Sequence, residues 1–180
     1  MKILAFSGSN SASSINQQLI QYVSSQIHNH SVTVASLRDY ELPLFGVDLE
    51  KDITQPKNSL AFRTLMDEHD AFIISCPEHN GSMPTVFKNF IDWQSRNPLQ
   101  QENFKLFCNK PLLLLATSPG ARGGLTNLEN LLKLMPYWGA QVRGHFSLPS
   151  FLDNFSDGEV TGHYQKELQQ LVLEFTQSLD

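Results

Sequence analysis

The sequence is poor in the residues that mark several specialised protein classes. Among its 180 residues are only two cysteines, Cys76 and Cys108, which form neither a disulfide framework nor a metal-ligand pattern. The longest apolar run, at residues 111–116, is too short to cross a bilayer, and residues 3–6 are too short for the core of a signal peptide. We therefore expect a protein of a reducing compartment, the cytoplasm, with no membrane contact and no metal site.

Charge is also scarce and leans to the acidic side. Charged residues make up 17% of the chain, and 18 acidic against 13 basic residues give a net charge of −5. No basic cluster offsets this balance, so we expect no nucleic-acid partner. A hydrophobic content of 41% over this length suits one globular domain, and no repeat, low-complexity tract or linker divides residues 1–180.

Short apolar runs alternate along the chain with segments of helical periodicity. The runs predict β-strands at residues 2–6, 32–35, 70–76, 111–117 and 140–146. Apolar residues that recur every three or four positions predict helices at residues 15–27, 58–69, 84–96, 125–135 and 164–179. Residues 37–55, 97–109 and 151–158 are expected to be irregular. This alternation predicts a three-layer α/β domain with a five-stranded parallel sheet, and favours the flavodoxin-like strand order 2-1-3-4-5.

The loops after the first, third and fourth strands are distinctive, and this topology brings them to the edge where open α/β sheets bind ligands. The first, SGSNSASS at residues 7–14, consists of small residues and leads into the start of a predicted helix, where backbone N–H groups are free. This makes it a candidate phosphate site. It holds no Lys or Arg, and neither a Walker motif nor GxGxxG is present. The alternative is a Ser-rich helix cap.

The other two loops are rich in turn-forming residues. After Pro77 ends the third strand, Asn80-Gly81 supplies a turn and Pro84 fits the first turn of the next helix. The loop at residues 118–124, SPGARGG, has glycines that permit close backbone approach. The alternative for both is an ordinary strand-to-helix turn. Together the three loops offer a polar anchor and two backbone-rich walls, which suits a phosphorylated planar cofactor.

Two stretches carry a resemblance to a known family. Residues 77–96 fit the motif P-E-Y-N-x-S-x-P-x-x-L-K-N-x-I-D-W-x-S-R. In the first loop, the motif G-S-x-R-x-x-S-x-N is matched by Gly8, Ser9, Ser14 and Asn16. The chain therefore resembles the NAD(P)H-dependent FMN reductases, which include quinone, chromate and azo-dye reductases of flavodoxin-like fold.

The chain departs from this family pattern at a few positions. Ser11 stands where Arg is frequent, and Phe87 stands where Leu is usual. His79 replaces the usual Tyr, and an imidazole there would donate a hydrogen bond to a substrate. The alternative is that His79 is only a solvated loop residue.

The resemblance implies FMN as the cofactor and NADPH or NADH as the reductant. It implies that the FMN phosphate binds the first loop at Ser9, Ser14 and Asn16, and the cofactor-binding residues there also include Asn10, Ser11 and Ile15. It also implies that the isoalloxazine ring lies against the other two loops, at Pro77, Glu78, His79, Asn80, Gly81, Ser118, Pro119 and Gly120. Hydride would pass from NAD(P)H through flavin N5 to a quinone, free flavin or similar small electron acceptor, and no catalytic side chain is required.

Two other function classes remain open from the residues alone. A flavodoxin-like carrier would bind FMN through the same loops but pass single electrons to a protein partner, without NAD(P)H turnover. A Ser hydrolase of the GDSL-like type would use the Ser after the first strand, but needs a C-terminal Asp-x-x-His pair. Asp157 and His163 are the nearest such pairing, and their spacing is wrong.

Aromatic residues on two helices suggest self-association. On the helix at 84–96, Trp93 is offset from the inner apolar stripe, so we expect it at the flank, with Asp92 and Arg96 spaced i, i+4 beside it. Together with Tyr137 and Trp138 it would form a surface aromatic patch, which marks an interface. A homodimer or homotetramer is expected, as the family resemblance also implies. The alternative is that both Trp side chains cap the core of a single chain.

Overall fold

The chain forms a parallel sheet whose strands lie close to the predicted apolar runs. The computed structural model describes residues 1–96 and 101–179. The strands of this sheet are β1 (Lys2–Ser7), β2 (Ser31–Ser36), β3 (Ala71–Ser75), β4 (Pro111–Thr117) and β5 (Gln141–Leu148). They pair in the order β2-β1-β3-β4-β5, which confirms the predicted topology.

Helices cover both faces of the sheet. They are α1 (Ile15–Ser25), α2 (Val47–Ile53), α3 (Lys57–Asp67), α4 (Thr85–Gln94), α5 (Leu125–Tyr137), α6 (Phe151–Asn154) and α7 (Gly162–Gln177). Side chains of α1 and α7 pack on one face, and those of α3, α4 and α5 pack on the other. Within the described residues, no helix has the length and apolar character needed to span a membrane.

The two cores are built from alternate residues of the same strands. On β1, Phe6 faces α3 and α4, where its ring centroid lies 5.1 Å from that of Phe62 and 5.7 Å from that of Phe90. Ile3 and Ala5 point to the opposite core, formed with α1 and α7. Burial on both faces explains why these strands are continuous apolar runs in the sequence. The prediction of one domain over residues 1–180 stays a prediction.

Residues 37–55 were expected to be irregular, and this is wrong in part. A short 3-10 helix covers Leu37–Asp39, and α2 covers Val47–Ile53. No residue of α2 is buried, and Val47 and Ile53 are exposed. Because α2 has no apolar stripe facing the core, helical periodicity could not reveal it.

Residues 151–158 also contain regular structure that was not predicted. They include α6 and the short strand β6 (Phe155–Ser156), which forms a hairpin with β7 (Glu159–Val160) directly after them. Asp157 and Gly158 form its two-residue turn with φ of 52° and 86°. Of the predicted loop at 97–109, residues 97–100 lie outside the described residues, and 101–109 contain neither helix nor strand.

The prediction that Trp93 lies at the surface is wrong. Trp93 is fully buried, its Nε1 donates to the Pro43 carbonyl at 2.8 Å, and its ring packs edge-on against Phe45 at 5.0 Å between centroids. The segment that precedes α2 therefore covers this flank of α4. Tyr137 is 73% exposed.

Asp92 and Arg96, which are spaced i, i+4 beside Trp93, each pair with another residue. Asp92 forms an ion pair with Lys88, with 2.6 Å between Asp92 Oδ1 and Lys88 Nζ, and not with Arg96. Arg96 instead lies 3.6 Å from Glu50 of α2. Lys88 and Arg96 both lie four residues from Asp92, but Arg96 is close to Glu50 of α2 and Asp92 pairs with Lys88.

Candidate cofactor site

Three loops meet at the carboxyl ends of β1, β3 and β4, and the Asn16 side chain joins them. Asn16 lies in the first turn of α1 and is only 2% exposed. Its Nδ2 donates to the Thr117 carbonyl at 3.0 Å, and its Oδ1 accepts from the Thr117 N–H at 3.2 Å. The same Oδ1 accepts from the Ser75 hydroxyl at 2.7 Å. One buried amide thus fixes the first loop to the ends of β3 and β4.

Close packing at Gly8 fixes the first loop from below. The Gly8 N–H donates to the Ser75 carbonyl at 2.9 Å. A Cβ at Gly8 would lie 2.9 Å from Cys76 Sγ and 3.0 Å from the Phe87 ring, closer than real Cβ atoms pack. Only glycine therefore allows the loop to approach the start of α4 this closely.

The first loop, residues 7–14, leaves several backbone donors free. Ser14 caps α1 by accepting the Gln17 N–H at 3.1 Å, and the Ser9 hydroxyl accepts the Ser11 N–H at 3.1 Å. Within the described residues, no acceptor is found for five backbone N–H groups, those of Ser9, Asn10, Ala12, Ile15 and Asn16. Free N–H groups at the positive end of an eleven-residue helix fit a phosphate group.

The second loop, residues 77–82, is a rigid turn. His79 and Ser82 exchange backbone hydrogen bonds of 2.8 and 3.1 Å. Between them, Asn80 and Gly81 have φ of 52° and 78°, which is the conformation that Asn-Gly favours. His79 and Asn80 are exposed, and within the described residues no acceptor is found for the Asn80 N–H.

Asn127, near the start of α5, ties the second loop to the third and was not predicted. Its side-chain Nδ2 donates to the Pro77 carbonyl at 2.8 Å. Its backbone N–H donates to the Glu78 carboxylate at 3.0 Å, where a negative charge also suits the helix start. Glu78 therefore acts as a brace between the loops. The sequence carries no signal that would have marked Asn127.

Burial also determines the chemistry of Cys76, beside the second loop. Burial raises the pKa of the Cys76 thiol to about 12, against a weaker opposite effect of the Asn127 amide. The thiol is therefore protonated at neutral pH and serves as packing beneath Gly8.

The third loop, residues 118–124, is held by the end of β5 and by the start of α6 directly after it. Its Ser118 and Gly120 carbonyls accept the N–H groups of Phe151 and Ser150 at 3.0 and 2.9 Å. Gly123 has φ of 60°, and a Cβ there would lie 2.9 Å from the Leu148 carbonyl carbon. The loop backbone is thus fixed, with Pro119 and Gly120 exposed.

The predicted site residues divide into two groups. Ser14, Asn16 and Glu78 use their side chains to hold the loops, although Ile15 and Asn16 keep free backbone N–H groups. The remaining residues lie at the accessible surface of the three loops and are available to a ligand: Ser9, Asn10, Ser11, Pro77, His79, Asn80, Gly81, Ser118, Pro119 and Gly120. The loops therefore fit FMN through backbone groups and small side chains.

A cavity of about 530 Å³ adjoins the first loop, on the side toward β2. Asn10 lines one wall, and the opposite walls come from residues 37–44 and the start of α4. Arg38 and Glu41 are the charged side chains among the described residues that line it. Sequence reasoning missed this cavity because its walls come from three distant segments.

Comparisons with known proteins agree with this geometry. A family model described as NADPH-dependent FMN reductase matches residues 1–153. An uncharacterized protein of Mycoplasma pneumoniae is 32% identical over 146 residues, which are 81% of this chain and 86% of that one. An NAD(P)H:quinone oxidoreductase of Solanum tuberosum is 28% identical over 191 residues, covering 99% and 92% of the two chains.

A solved structure is similar over nearly the whole chain. The flavoenzyme NAD(P)H:(acceptor) oxidoreductase of Paracoccus denitrificans superposes with a TM-score of 0.77 at 26% identity, covering 98% of this chain and 95% of that one. The same fold, the joined loops and the match over residues 1–153 lead to one conclusion. The chain belongs to the NADPH-dependent FMN reductase family.

Proposed function

We propose that this chain binds FMN at the three joined loops and uses NAD(P)H to reduce a quinone, free flavin or similar small acceptor. The observation that carries the proposal is the Asn16 amide, which holds the candidate phosphate loop against the ends of β3 and β4. Such a buried amide preorganises a ligand site before the ligand arrives. FMN, when bound, accepts hydride from NAD(P)H and delivers the electrons to the acceptor.

The residues of the chain supply binding and orientation. The free N–H groups of the first loop, with the hydroxyls of Ser9 and Ser11, would hold the phosphate. The exposed backbone of residues 77–81 and 118–120 would face the ring. Within these segments Glu78 is engaged by Asn127, so we assign no general acid or base. His79 is exposed and is proposed only to border the acceptor site.

The one-electron carrier gains no specific support. A flavodoxin of Pseudomonas aeruginosa superposes with a TM-score of 0.56 at 13% identity, which shows a shared fold and nothing more. The family match, in contrast, is to NADPH-dependent enzymes. We therefore favour the enzyme over the carrier.

The Ser hydrolase gains no support either. The Ser9 hydroxyl accepts the Ser11 N–H, and no His contacts it within residues 1–96 and 101–179. The His163 ring packs on Tyr164 at the start of α7, with 3.8 Å between centroids. A nucleophile without a base in reach cannot be activated in the way that this class requires.

Steady-state kinetics with FMN, NADPH and a quinone test the enzymatic proposal. If reductant and acceptor use the same cleft in turn, double-reciprocal plots at several quinone concentrations will be parallel. Absence of NAD(P)H oxidation with every quinone and flavin tested would overturn the proposal and favour the carrier.

We further propose a cytoplasmic homodimer or homotetramer. The location rests on the two unpaired thiols, since Cys76 and Cys108 form no disulfide. The assembly no longer rests on Trp93. Its support is the exposed apolar side chains of Leu44, on the segment that covers α4, and of Val47, the first residue of α2.

A further inference from the structure

The cavity beside the first loop has one cationic side chain among the described residues that line it. Arg38 lies two residues after the end of β2, and neither a salt bridge nor a side-chain hydrogen bond engages its guanidinium within the described residues. The first loop itself has no Lys or Arg. A phosphate that reaches from the loop into this cavity would find its countercharge at Arg38.

The backbone that carries Arg38 is fixed in place. Leu37 is buried in the core, and the Ser36 hydroxyl accepts the Arg38 N–H at 3.3 Å. The Asn89 amide of α4 holds the next turn of chain by donating to the Pro43 carbonyl at 3.0 Å. The guanidinium is therefore presented from a rigid wall, which lowers the cost of ordering it on a ligand.

On these grounds we propose that Arg38 binds a phosphate monoester in the cavity that it shares with Asn10. Two sources carry this chemistry, the 5′-phosphate of FMN and the 2′-phosphate of NADPH. A guanidinium suits either, because its paired N–H donors match phosphate oxygens. Glu41 lines the same cavity and opposes an anion, so the balance of the two charges would set the affinity. The proposal rests on the function proposed above.

Binding to the flavin-free chain tests this without any turnover. Fluorescence titrations give the affinities for FMN and riboflavin, and calorimetry gives those for 2′,5′-ADP and AMP. We expect Arg38→Ala to weaken one phosphate-bearing ligand about tenfold and to leave its counterpart without that phosphate unchanged. A loss confined to FMN identifies the flavin phosphate, and a loss confined to 2′,5′-ADP identifies NADPH.

Three further variants sharpen the test. Arg38→Lys should retain part of the affinity for the phosphate-bearing ligand that Arg38→Ala weakens. Glu41→Gln should strengthen the binding of that ligand about threefold at low salt. Arg143→Ala on β5 is the matched control, since Arg143 is an exposed arginine on the opposite edge strand of the sheet. It should change nothing.

The outcomes separate this inference from the function on which it rests. Two ratios of affinity decide the role of Arg38, that of FMN to riboflavin and that of 2′,5′-ADP to AMP. If Arg38→Ala leaves both ratios as they are in the wild type, whether or not it weakens both ligands of a pair equally, the role of Arg38 is overturned. If the wild-type chain binds no FMN at all, the proposed function fails, whereas the comparison of 2′,5′-ADP with AMP still tests Arg38.

Discussion

Asn16 and Thr117 lie 101 positions apart in the sequence and exchange two hydrogen bonds. The Asn16 side-chain amide bonds to Thr117 as a neighbouring backbone would, since it pairs with both the N–H and the carbonyl of Thr117. Through this pair the start of α1 is fixed to the end of β4, and the Ser75 hydroxyl adds the end of β3. The candidate FMN site therefore depends on one buried amide.

Replacing Asn16 by Ala should affect stability and binding together. The change leaves the Thr117 backbone and the Ser75 hydroxyl without their buried partner, which should lower the free energy of unfolding by about 3 kcal/mol. FMN affinity should fall at least about tenfold, since the loops lose their alignment. Urea denaturation and FMN titration measure the two effects. Gln18→Ala, an exposed change on the same helix, is the control, and an equal effect of the two substitutions would contradict the role of Asn16.

Gly8 and Gly46 provide a matched pair of glycines. A Cβ at Gly8 would meet Cys76 and Phe87 at 2.9 and 3.0 Å, whereas a Cβ at Gly46 would meet nothing within 4 Å. We expect Gly8→Ala to lower the free energy of unfolding by about 2 kcal/mol through overpacking. Gly46→Ala should stay within about 0.5 kcal/mol of the wild type. Similar thermal or urea midpoints for both variants would show that the first loop has room to move.

The two thiols should differ sharply in reactivity. Cys76 is buried and Cys108 is exposed, so iodoacetamide at pH 8 should label only Cys108 in the folded chain and both cysteines in urea. Mass spectrometry counts the labels. Rapid labelling of Cys76 in folded Cys108→Ser would show that the packing beneath Gly8 opens.

Cys76 should also make stability fall at high pH. Its thiol has a pKa of about 12 when folded, against 9.0 ordinarily, so the unfolded chain loses this proton first as the pH rises. The contribution of Cys76 is complete below pH 9 and is lost progressively toward pH 12, by up to about 1.4 kcal/mol per pH unit. Between pH 8 and about pH 10.5, the free energy of unfolding, measured by denaturation at each pH, should therefore fall more steeply with rising pH for the wild type than for Cys76→Ala. Parallel curves would contradict this.

The sequence predicted well those elements whose pattern is local. β4 has the predicted bounds because its residues 112–116 are fully buried, which leaves an unbroken apolar run. The turn at Asn80-Gly81 was likewise predicted, since those two residues alone favour positive φ.

What the sequence missed depends on contacts between distant segments. The periodicity of α4 placed Trp93 off the inner stripe, but Pro43, 50 positions away, accepts its Nε1 and covers it. Asn127 and Arg38 owe their places to loops that approach only in the folded chain. No local pattern encodes such contacts, so these parts of the site could not be read from the residues.

We predict that copies of the chain associate through the exposed side of the segment that covers α4. Leu44 is 73% exposed there, and Leu152 on α6 is 78% exposed elsewhere. Sedimentation equilibrium at micromolar concentration should give at least twice the 20.3 kDa of one chain. Leu44→Asp should shift the mass toward one chain, whereas Leu152→Asp should not. A wild-type mass near 20 kDa would remove the assembly from the account.

The central claim is that the three loops hold FMN for reduction by NAD(P)H. The most direct test is an anaerobic NADPH titration of the purified chain after loading with FMN and removal of the excess, followed by visible absorption. We predict about one FMN bound per chain, bleaching of its visible band by an equivalent of NADPH, and return of the band when a quinone is added. The account would be contradicted by a chain that retains no FMN. It would also be contradicted if neither NADPH nor NADH bleached the bound FMN.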